Sequence, residues 1–395
     1  MNKQKKSPWK ALLFALFLGG LGALGGYYGT SFLKSFLPQA ASPHGFVEKI
    51  GFVAVAFFAI WVTIAIHELG HLCAGLAQGF RVALYIAGFL GVRGTKHGVR
   101  FFVNRQVSLM GGLAATFPER MESGPELRRK FARIVAAGPL ASLLLSVVAL
   151  SALTFVRQNL GESPSLIARM SIAFLLFTSG ISGVIFLATM IPTVAGGFMS
   201  DGARLLSLLN GGERGRYEEA TLAVTALLGA GKLPGEYPTD LRERLMTRTP
   251  DSLLGLNGHF INFSCHLDRG ETEQALPLAH LIQENISAVP SAFQGHYLKD
   301  VAFFYAFLSQ DAEAAHACWN TIQKSSEKDP DAATFRVKAA LALLDGTATE
   351  AIGFVEKGLA KIADLPFDGQ RRFEEKWLRA VLKRTQAGMA SNHQI

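Results

Sequence analysis

The clearest chemical motif in the chain is a pair of histidines four residues apart, with a glutamate directly after the first. These residues are His67, Glu68 and His71, in the segment HELGH. Four residues advance a helix by about 400°, so the two imidazoles lie on one face, where both can bind a single Zn²⁺. Glu68 is rotated by about 100° from His67, and a base placed there can accept a proton from an activated water. The motif predicts one catalytic zinc, with His67 and His71 as ligands and Glu68 as the catalytic glutamate.

A catalytic zinc needs a third protein ligand, and the best candidate is Asp201. This aspartate is the first charged residue after the 31 uncharged residues 170–200. Another interpretation makes Ser200 or Asp201 the N-cap of the helix that follows, ARLLSLL. The two interpretations are compatible, because a carboxylate near the start of a helix can also bind a metal.

The composition places these residues in a membrane protein. Of 395 residues, 49% are hydrophobic and only 18% are charged, whereas a soluble domain has about 25% charged residues. The mean hydropathy is +0.25. These values exclude a disordered chain and a collagen-like repeat, and they argue against a wholly soluble enzyme. The formal net charge is +8, but charged residues are common only after Asp201 and nearly absent from four long windows before it.

Those four windows are long enough to cross a bilayer, which takes roughly 20 helical residues. The predicted spans are about 11–33, 50–78, 134–157 and 170–192. The first follows four lysines and could be a signal peptide, but its length and the lack of a clean cleavage site favour a retained helix. The HELGH motif lies in the second span.

Basic residues predict the orientation of these spans and the character of the long loop between the second and the third. The lysines before the first span and the ten basic residues of that loop should face the cytoplasm. Four spans then give a multi-pass protein of the cell membrane with cytoplasmic N- and C-termini. Within the loop, the apolar stretches Val82–Val92 and Val99–Val103 flank the turn RGTKHG and predict a small β-hairpin. Its apolar content favours a re-entrant element over a surface hairpin.

The part of the chain after about residue 250 reads as short amphipathic helices joined by tight turns. Three similar helices place Ala275, Ala315 and Ala351 at the same point, at intervals of 40 and 36 residues. This spacing resembles tetratricopeptide-type helical hairpins, which repeat near 34 residues, and an ordinary helical bundle is the alternative. Stacked hairpins would offer a concave surface to a peptide or protein partner. The three scattered cysteines form neither a disulfide framework nor a zinc pair.

Three motifs, taken in chain order, resemble the site-2 protease family of intramembrane zinc metalloproteases. They are HELGH in the second span, AAGPLAS at Ala136–Ser142, and MIP…SDGARLL within Met190–Leu206. The resemblance covers about residues 50–210. It implies an intramembrane protease that cleaves membrane proteins, with an active site built at the spans.

The resemblance also implies roles for particular residues. The implied zinc ligands and catalytic glutamate are His67, His71, Asp201 and Glu68. Gly138 and Pro139 match the family's Gly-Pro motif on the helix beside the site, and they are implied to be substrate-binding residues. Ser142 and Thr189 stand where the family commonly has asparagine, so they are candidate substrate-binding residues whose chemistry departs from the pattern. No PDZ-like segment separates the spans, so substrates must be selected differently from the members that carry one.

The predicted fold is an all-α polytopic membrane protein, with about four transmembrane helices and a small re-entrant β-hairpin, followed by a soluble, tetratricopeptide-like C-terminal domain. The predicted domains are an N-terminal segment with the first span (1–49), a membrane-embedded zinc metalloprotease core (50–210), linker helices (211–249) and a cytoplasmic helical-repeat domain (250–390).

The predicted function is hydrolysis of peptide bonds in or near the transmembrane segments of substrate proteins, as in regulated intramembrane proteolysis. The expected partners are membrane protein substrates, the lipid bilayer and a peptide or protein that binds the C-terminal domain; no nucleic acid is expected. One alternative is a catalytically silent membrane scaffold that acts through its tail, although the intact Glu68 argues against it. A metal transporter is less consistent with the sequence, because the candidate ligands cluster at one depth.

Overall fold

The computed structural model describes residues 45–119, 124–159, 164–195 and 198–392. The predicted first span, about 11–33, lies outside these residues. The described part contains three helices that are long and apolar enough to cross a membrane: α1 (Gly45–Ala77), α2 (Pro125–Gln158) and α3 (Leu166–Met190). They contain or overlap the second, third and fourth predicted spans, while the total of four spans stays a prediction.

The membrane helices carry apolar side chains on their outer faces. Phe57, Leu144 and Val184 are each more than 60% exposed. Such exposed apolar surface is unusual in a soluble protein, and a bilayer would cover it. The helices are therefore stable in lipid rather than in water, because the hydrocarbon replaces the missing protein core.

Residues 45–60 and 146–181 form one compact unit, held by polar contacts between apolar helices. Arg169 at the start of α3 donates to Glu48 in the first turn of α1 at 2.7 Å. Ser146 on α2 and Ser179 on α3 each donate a hydroxyl hydrogen bond to the other's carbonyl, at 2.8 and 3.1 Å. Hydroxyls that bridge helices in this way are common between membrane helices, where water is not available as a partner.

The loop after α1 forms an antiparallel sheet of four strands, where the sequence predicted a hairpin of two. The strands, in chain order, are β1 (Phe80–Ala87), β2 (Leu90–Thr95), β3 (Gly98–Val103) and β4 (Leu113–Pro118), and their order across the sheet is β3-β2-β1-β4. The predicted first strand, Val82–Val92, is split by a two-residue turn at Gly88, whose φ of 59° suits glycine. The two-strand prediction was therefore wrong in strand number, because the apolar run conceals this turn.

A short helix follows α3 and leads to the linker helices. The two-residue strands β5 (Val194–Ala195) and β6 (Phe198–Met199) pair with each other, and α4 (Asp201–Asn210) begins directly afterwards. The linker helices are α5 (Glu213–Gly229) and α6 (Thr239–Leu245). Arg204 on α4 lies 3.5 Å from the buried Glu218 of α5, and this contact fastens α4 to the linker.

The C-terminal domain contains seven helices among the described residues, and they pack in consecutive pairs. They are α7 (Leu253–Arg269), α8 (Thr272–Asn285), α9 (Ser291–Phe303), α10 (Ala312–Ser326), α11 (Ala332–Leu344), α12 (Ala348–Lys361) and α13 (Asp368–Asn392). The three alanines at the predicted repeat interval, Ala275, Ala315 and Ala351, lie fully buried on α8, α10 and α12. The domain is thus helical, while its tetratricopeptide-like character stays a prediction.

Candidate metal centre

The structure brings together His67, His71 and Asp201, although Asp201 lies 130 residues beyond His71 in the chain. Nε2 of His67 lies 3.3 Å from Nε2 of His71 and 3.3 Å from Oδ2 of Asp201, and Nε2 of His71 lies 3.6 Å from the same oxygen. Two ligand atoms at about 2.0–2.1 Å from a tetrahedral zinc are about 3.3–3.4 Å apart. Among the described residues, these three form the cluster of potential metal ligands, and their spacing fits zinc.

Two glycines allow α1 and α2 to approach closely enough to build this centre. A Cβ on Gly70 would lie 2.6 Å from the carbonyl oxygen of Ala137, and a Cβ on Gly138 would lie 2.1 Å from Nε2 of His71. Real Cβ atoms do not come this close, so either substitution would push the helices or the ring apart. Gly138, predicted from the Gly-Pro motif, therefore makes room for the imidazole of His71, a candidate metal ligand.

Each histidine is oriented by a hydrogen bond at its other ring nitrogen. Nδ1 of His71 donates to the carbonyl oxygen of Ile134 on α2 at 2.8 Å, and Nδ1 of His67 lies 2.9 Å from Oγ of Ser142 on the same helix. The carbonyl of Ile134 can only accept, so Nδ1 of His71 carries the proton and Nε2 is free to bind a metal; the hydroxyl of Ser142 can accept from His67 in the same way. The two rings are thus prepared for metal binding by α2.

Asp201 reaches the centre because Ser200 and Gly202 determine where α4 begins. Oγ of Ser200 accepts from the backbone N–H of Ala203 and donates to the carbonyl of Ile191 at 2.7 Å. A Cβ on Gly202 would lie 2.0 Å from the carbonyl oxygen of Met190, so glycine lets the two backbones touch. Ser200 is therefore the N-cap and Asp201 is the first helical residue, pointing to the histidines.

The charge state of Asp201 suits a metal ligand. Burial raises the pKa of this carboxyl group, but imidazoles that carry protons on Nε2 donate hydrogen bonds to it and lower its pKa more, to about 2; a metal bound at the same nitrogens would take the place of those protons. Asp201 is therefore ionised near neutral pH and supplies one negative charge to the centre.

Glu68 lies at the same centre but not among the three ligands. Its carboxylate accepts a hydrogen bond from the backbone N–H of Ala114 on β4. A Cβ on Gly112 would lie 2.5 Å from Oε1 of Glu68, and Gly112 has a φ of 102°. The start of β4 therefore passes directly beside the glutamate. The sequence analysis did not identify Gly112 or Ala114. The Gly111-Gly112 pair is the one sequence signal that could have indicated that the backbone comes this close to Glu68.

The residues predicted to bind substrate occupy different places. Ser142 is fully buried behind the His67 ring, and Pro139 is buried within α2. Thr189 lies in the last turn of α3, where its hydroxyl donates to the carbonyl of Phe186 at 3.3 Å. No hydrogen bond between described residues joins Thr189 to the metal ligands. The hydroxyl of Ser142 therefore lies against His67, while the substrate-binding roles of these residues stay predictions.

Comparison with known families identifies one match. A model of the family described as peptidase family M50 matches residues 55–328, which is more than half of the chain. The matched region includes Glu68 and the three potential ligands, and it extends from α1 into the C-terminal domain. Comparisons with curated proteins and with solved structures gave no significant match.

Proposed function

The chain belongs to peptidase family M50, the family of membrane-embedded site-2 metalloproteases, and on that premise we propose that it is a zinc endopeptidase. Its substrates would be membrane proteins, cut in or near their transmembrane segments, as in regulated intramembrane proteolysis. The observation that carries the proposal is the tetrahedral spacing of His67, His71 and Asp201, with Glu68 beside them. This arrangement supports hydrolysis by a metal and a general base together.

The residues have separate tasks in the proposed reaction. Zinc, when bound by His67, His71 and Asp201, would acidify water and polarise the scissile carbonyl. Glu68 would accept the proton of the attacking water and pass it to the leaving amine, because its carboxylate is free of the ligand set. The backbone N–H of Ala114 holds that carboxylate in place.

The proposal is tested by metal analysis and cleavage with the purified full-length protein in lipid vesicles. The wild type is expected to hold about one zinc per chain and to cut a transmembrane substrate, and chelation should stop cleavage until zinc is returned. His71→Ala should lose both zinc and cleavage, because it removes one of three protein ligands. Zinc binding without cleavage of any membrane substrate would instead favour the silent scaffold.

We further propose that the substrate is held as an extended strand along β4. A helical segment keeps its peptide bonds in its own hydrogen bonds, so it must unwind before cleavage and needs new backbone partners in the membrane. β4 is an edge strand of the four-stranded sheet, and Ala114 lies at Glu68. β3, the second strand of the predicted hairpin, is the opposite edge.

Proline substitutions can distinguish the two edges. Thr116→Pro removes an N–H that points away from β1, as that of Ala114 does two residues earlier, but leaves the N–H that binds Glu68 in place; cleavage is expected to fall by about tenfold, which corresponds to one or two lost hydrogen bonds. Phe101→Pro in β3 is the matched control and should leave cleavage near the wild-type rate, with zinc content unchanged in both. If only the β3 variant loses activity, the substrate binds at that edge.

The exposed face of β3 supports a position of the sheet at the bilayer. Val99, Phe101 and Val103 alternate along the strand, so they share one face, and each is more than half exposed. We propose that lipid covers them. Together with the basic residues of the loop, this supports our proposal that the sheet and both termini lie on the cytoplasmic side of the cell membrane. Reporter fusions near residues 115 and 240 should report a cytoplasmic location, and one near residue 40, between the first two predicted spans, should report an external one; an external report at 240 would overturn this orientation.

The helix pairs of the C-terminal domain support the remaining proposal, that this domain is tetratricopeptide-like and binds a peptide or protein partner. Three fully buried alanines at equivalent places are consistent with stacked hairpins. A pull-down with the full-length protein in detergent tests this proposal, and a variant that lacks residues 250–390 but keeps the membrane region should lose the partner.

A further inference from the structure

Ser142 lies on the side of the His67 ring that faces away from the other ligands. Nε2 of this ring lies 3.3 Å from Asp201, and Nδ1 lies 2.9 Å from Oγ of Ser142. An imidazole that binds a metal through Nε2 carries its proton on Nδ1, so Nδ1 is the donor and the serine oxygen is the acceptor. His67 is only 6% exposed, and no water can replace this acceptor without entering the protein.

Ser142 is itself held by a second serine, on α3. Oγ of Ser182 donates to the carbonyl oxygen of Ser142 at 2.7 Å, and both residues are fully buried. The three residues therefore form a chain of hydrogen bonds from α3 through α2 to the metal ligand on α1. Nδ1 of His71, by contrast, bonds to the backbone carbonyl of Ile134, which is present whatever side chain occupies that position. His67 is thus the histidine whose orientation depends on a particular side chain.

We propose that Ser142 is a positioning residue for the metal ligand His67, and that Ser182 holds the turn of α2 that carries it. This inference rests on the proposed zinc site but not on proteolysis. Without the Ser142 hydroxyl, the buried Nδ1–H would be unpaired when zinc is bound, so the metal-binding tautomer and ring angle would lose their support.

The test is the zinc affinity of the full-length protein in detergent, measured by competition with a chromophoric chelator. Ser142→Ala is expected to weaken zinc binding by about 10–100-fold, as for other partners of metal-bound histidines. Ser182→Ala leaves the Ser142–His67 bond in place, so this variant should lose less zinc affinity than Ser142→Ala. The visible spectrum of the Co²⁺-substituted protein should change in Ser142→Ala, because the ligand geometry changes.

Ser146→Ala is the matched control, since it also removes a hydroxyl bond between α2 and α3 but touches no histidine. It should leave both the zinc affinity and the cobalt spectrum unchanged. Equal losses in Ser142→Ala and Ser146→Ala would show that only helix packing matters, and an unchanged affinity in Ser142→Ala would also overturn the proposal. Cleavage is measured in a separate assay, so the zinc affinity and the cobalt spectrum can be interpreted even if the protein has no protease activity.

A different set of contacts joins the C-terminal domain to the sheet beside Glu68. The segment 362–367, between α12 and α13, meets the turn between β2 and β3, β3 itself and β4. The carbonyl of Ala363 accepts from the N–H of Lys96 at 3.2 Å, next to an ion pair of 3.1 Å between Asp364 and Arg100. The ring of Phe367 lies 4.4 Å from the ring of Phe117, centroid to centroid.

Phe117 connects the contact with Phe367 to the candidate metal centre, because β4 carries both Phe117 and the N–H that binds Glu68. It is 3% exposed and lies on β4, three residues after Ala114, which donates to Glu68. Three residues of a strand span only about 10 Å. We infer that Phe367 is a positioning residue for β4, so that the C-terminal domain supports the strand that holds the general base. This second inference is independent of the serine chain.

Phe367→Ala tests it in the full-length protein. Hydrogen exchange of the β4 amides should become faster, and cleavage should fall by up to about tenfold, as loss of an aromatic pair allows. Zinc affinity should stay unchanged. Phe354→Ala is the control, because Phe354 packs in the core of the same domain. The inference fails if both variants have the same effect on β4 exchange or if Phe367→Ala has none, and this readout does not depend on proteolysis.

Discussion

Replacing Glu68 with glutamine is expected to reduce cleavage by about 10²–10⁴-fold, the contribution of a general acid-base residue. Glutamine has the same size, and its amide oxygen can still accept the Ala114 N–H, so β4 should keep its position. It cannot accept a proton from water. The three ligand atoms belong to other residues, so the variant should retain its zinc.

The measurement combines zinc content with cleavage of a transmembrane substrate in vesicles. Glu119→Gln is a suitable control, because Glu119 follows β4 but pairs with Arg81 at the surface. It should behave as the wild type. If Glu68→Gln cleaves at the wild-type rate, another residue is the base; if neither form cleaves while both bind zinc, the chain is a scaffold.

The parts of the centre that the sequence predicts are those set by local periodicity and composition. His67, Glu68 and His71 share one helix, so a spacing of four residues is enough to place both imidazoles on one face. Asp201 could be selected because it ends a long uncharged run, and its side chain lies at the histidines. The three helices of the described region follow in the same way from apolar runs of sufficient length.

The rest of the centre depends on contacts between residues that are far apart in the chain, and no local sequence pattern specifies such contacts. The Ala114 N–H that holds Glu68 comes from a strand 46 residues later, and its position depends on a four-stranded sheet that the sequence suggested only as a hairpin. Ser142 was selected by motif position as a substrate-binding residue, but its hydroxyl lies against His67. Motif matching identifies the residue, while only packing between helices decides what its side chain touches.

The second large effect concerns a buried ion cluster in the C-terminal domain. Arg336 on α11 is fully buried and donates to Glu374 of α13 at 2.7 Å and to Asp300 of α9 at 2.5 Å. Burial lowers the pKa of this guanidinium, but the two carboxylates raise it more, so Arg336 stays charged. Its guanidinium also lies over the ring of Phe303, 4.4 Å from the centroid. One side chain thus joins three helices of the domain.

Arg336→Met is therefore expected to lower the free energy of unfolding of this domain by about 3–5 kcal/mol, because it leaves buried carboxylates without a cation. Urea unfolding of the full-length protein, followed by the fluorescence of Trp319 and Trp377 in the same core, measures this change. Lys338→Met, on the same helix, loses a partly exposed ion pair with Glu327 and a cation–π contact with Phe354, and it should change the stability far less. Adding Glu374→Leu to Arg336→Met should restore part of the stability, since it removes a lone buried charge. If the double variant is less stable than Arg336→Met, the loss comes from packing around the arginine stem and not from unpaired charge.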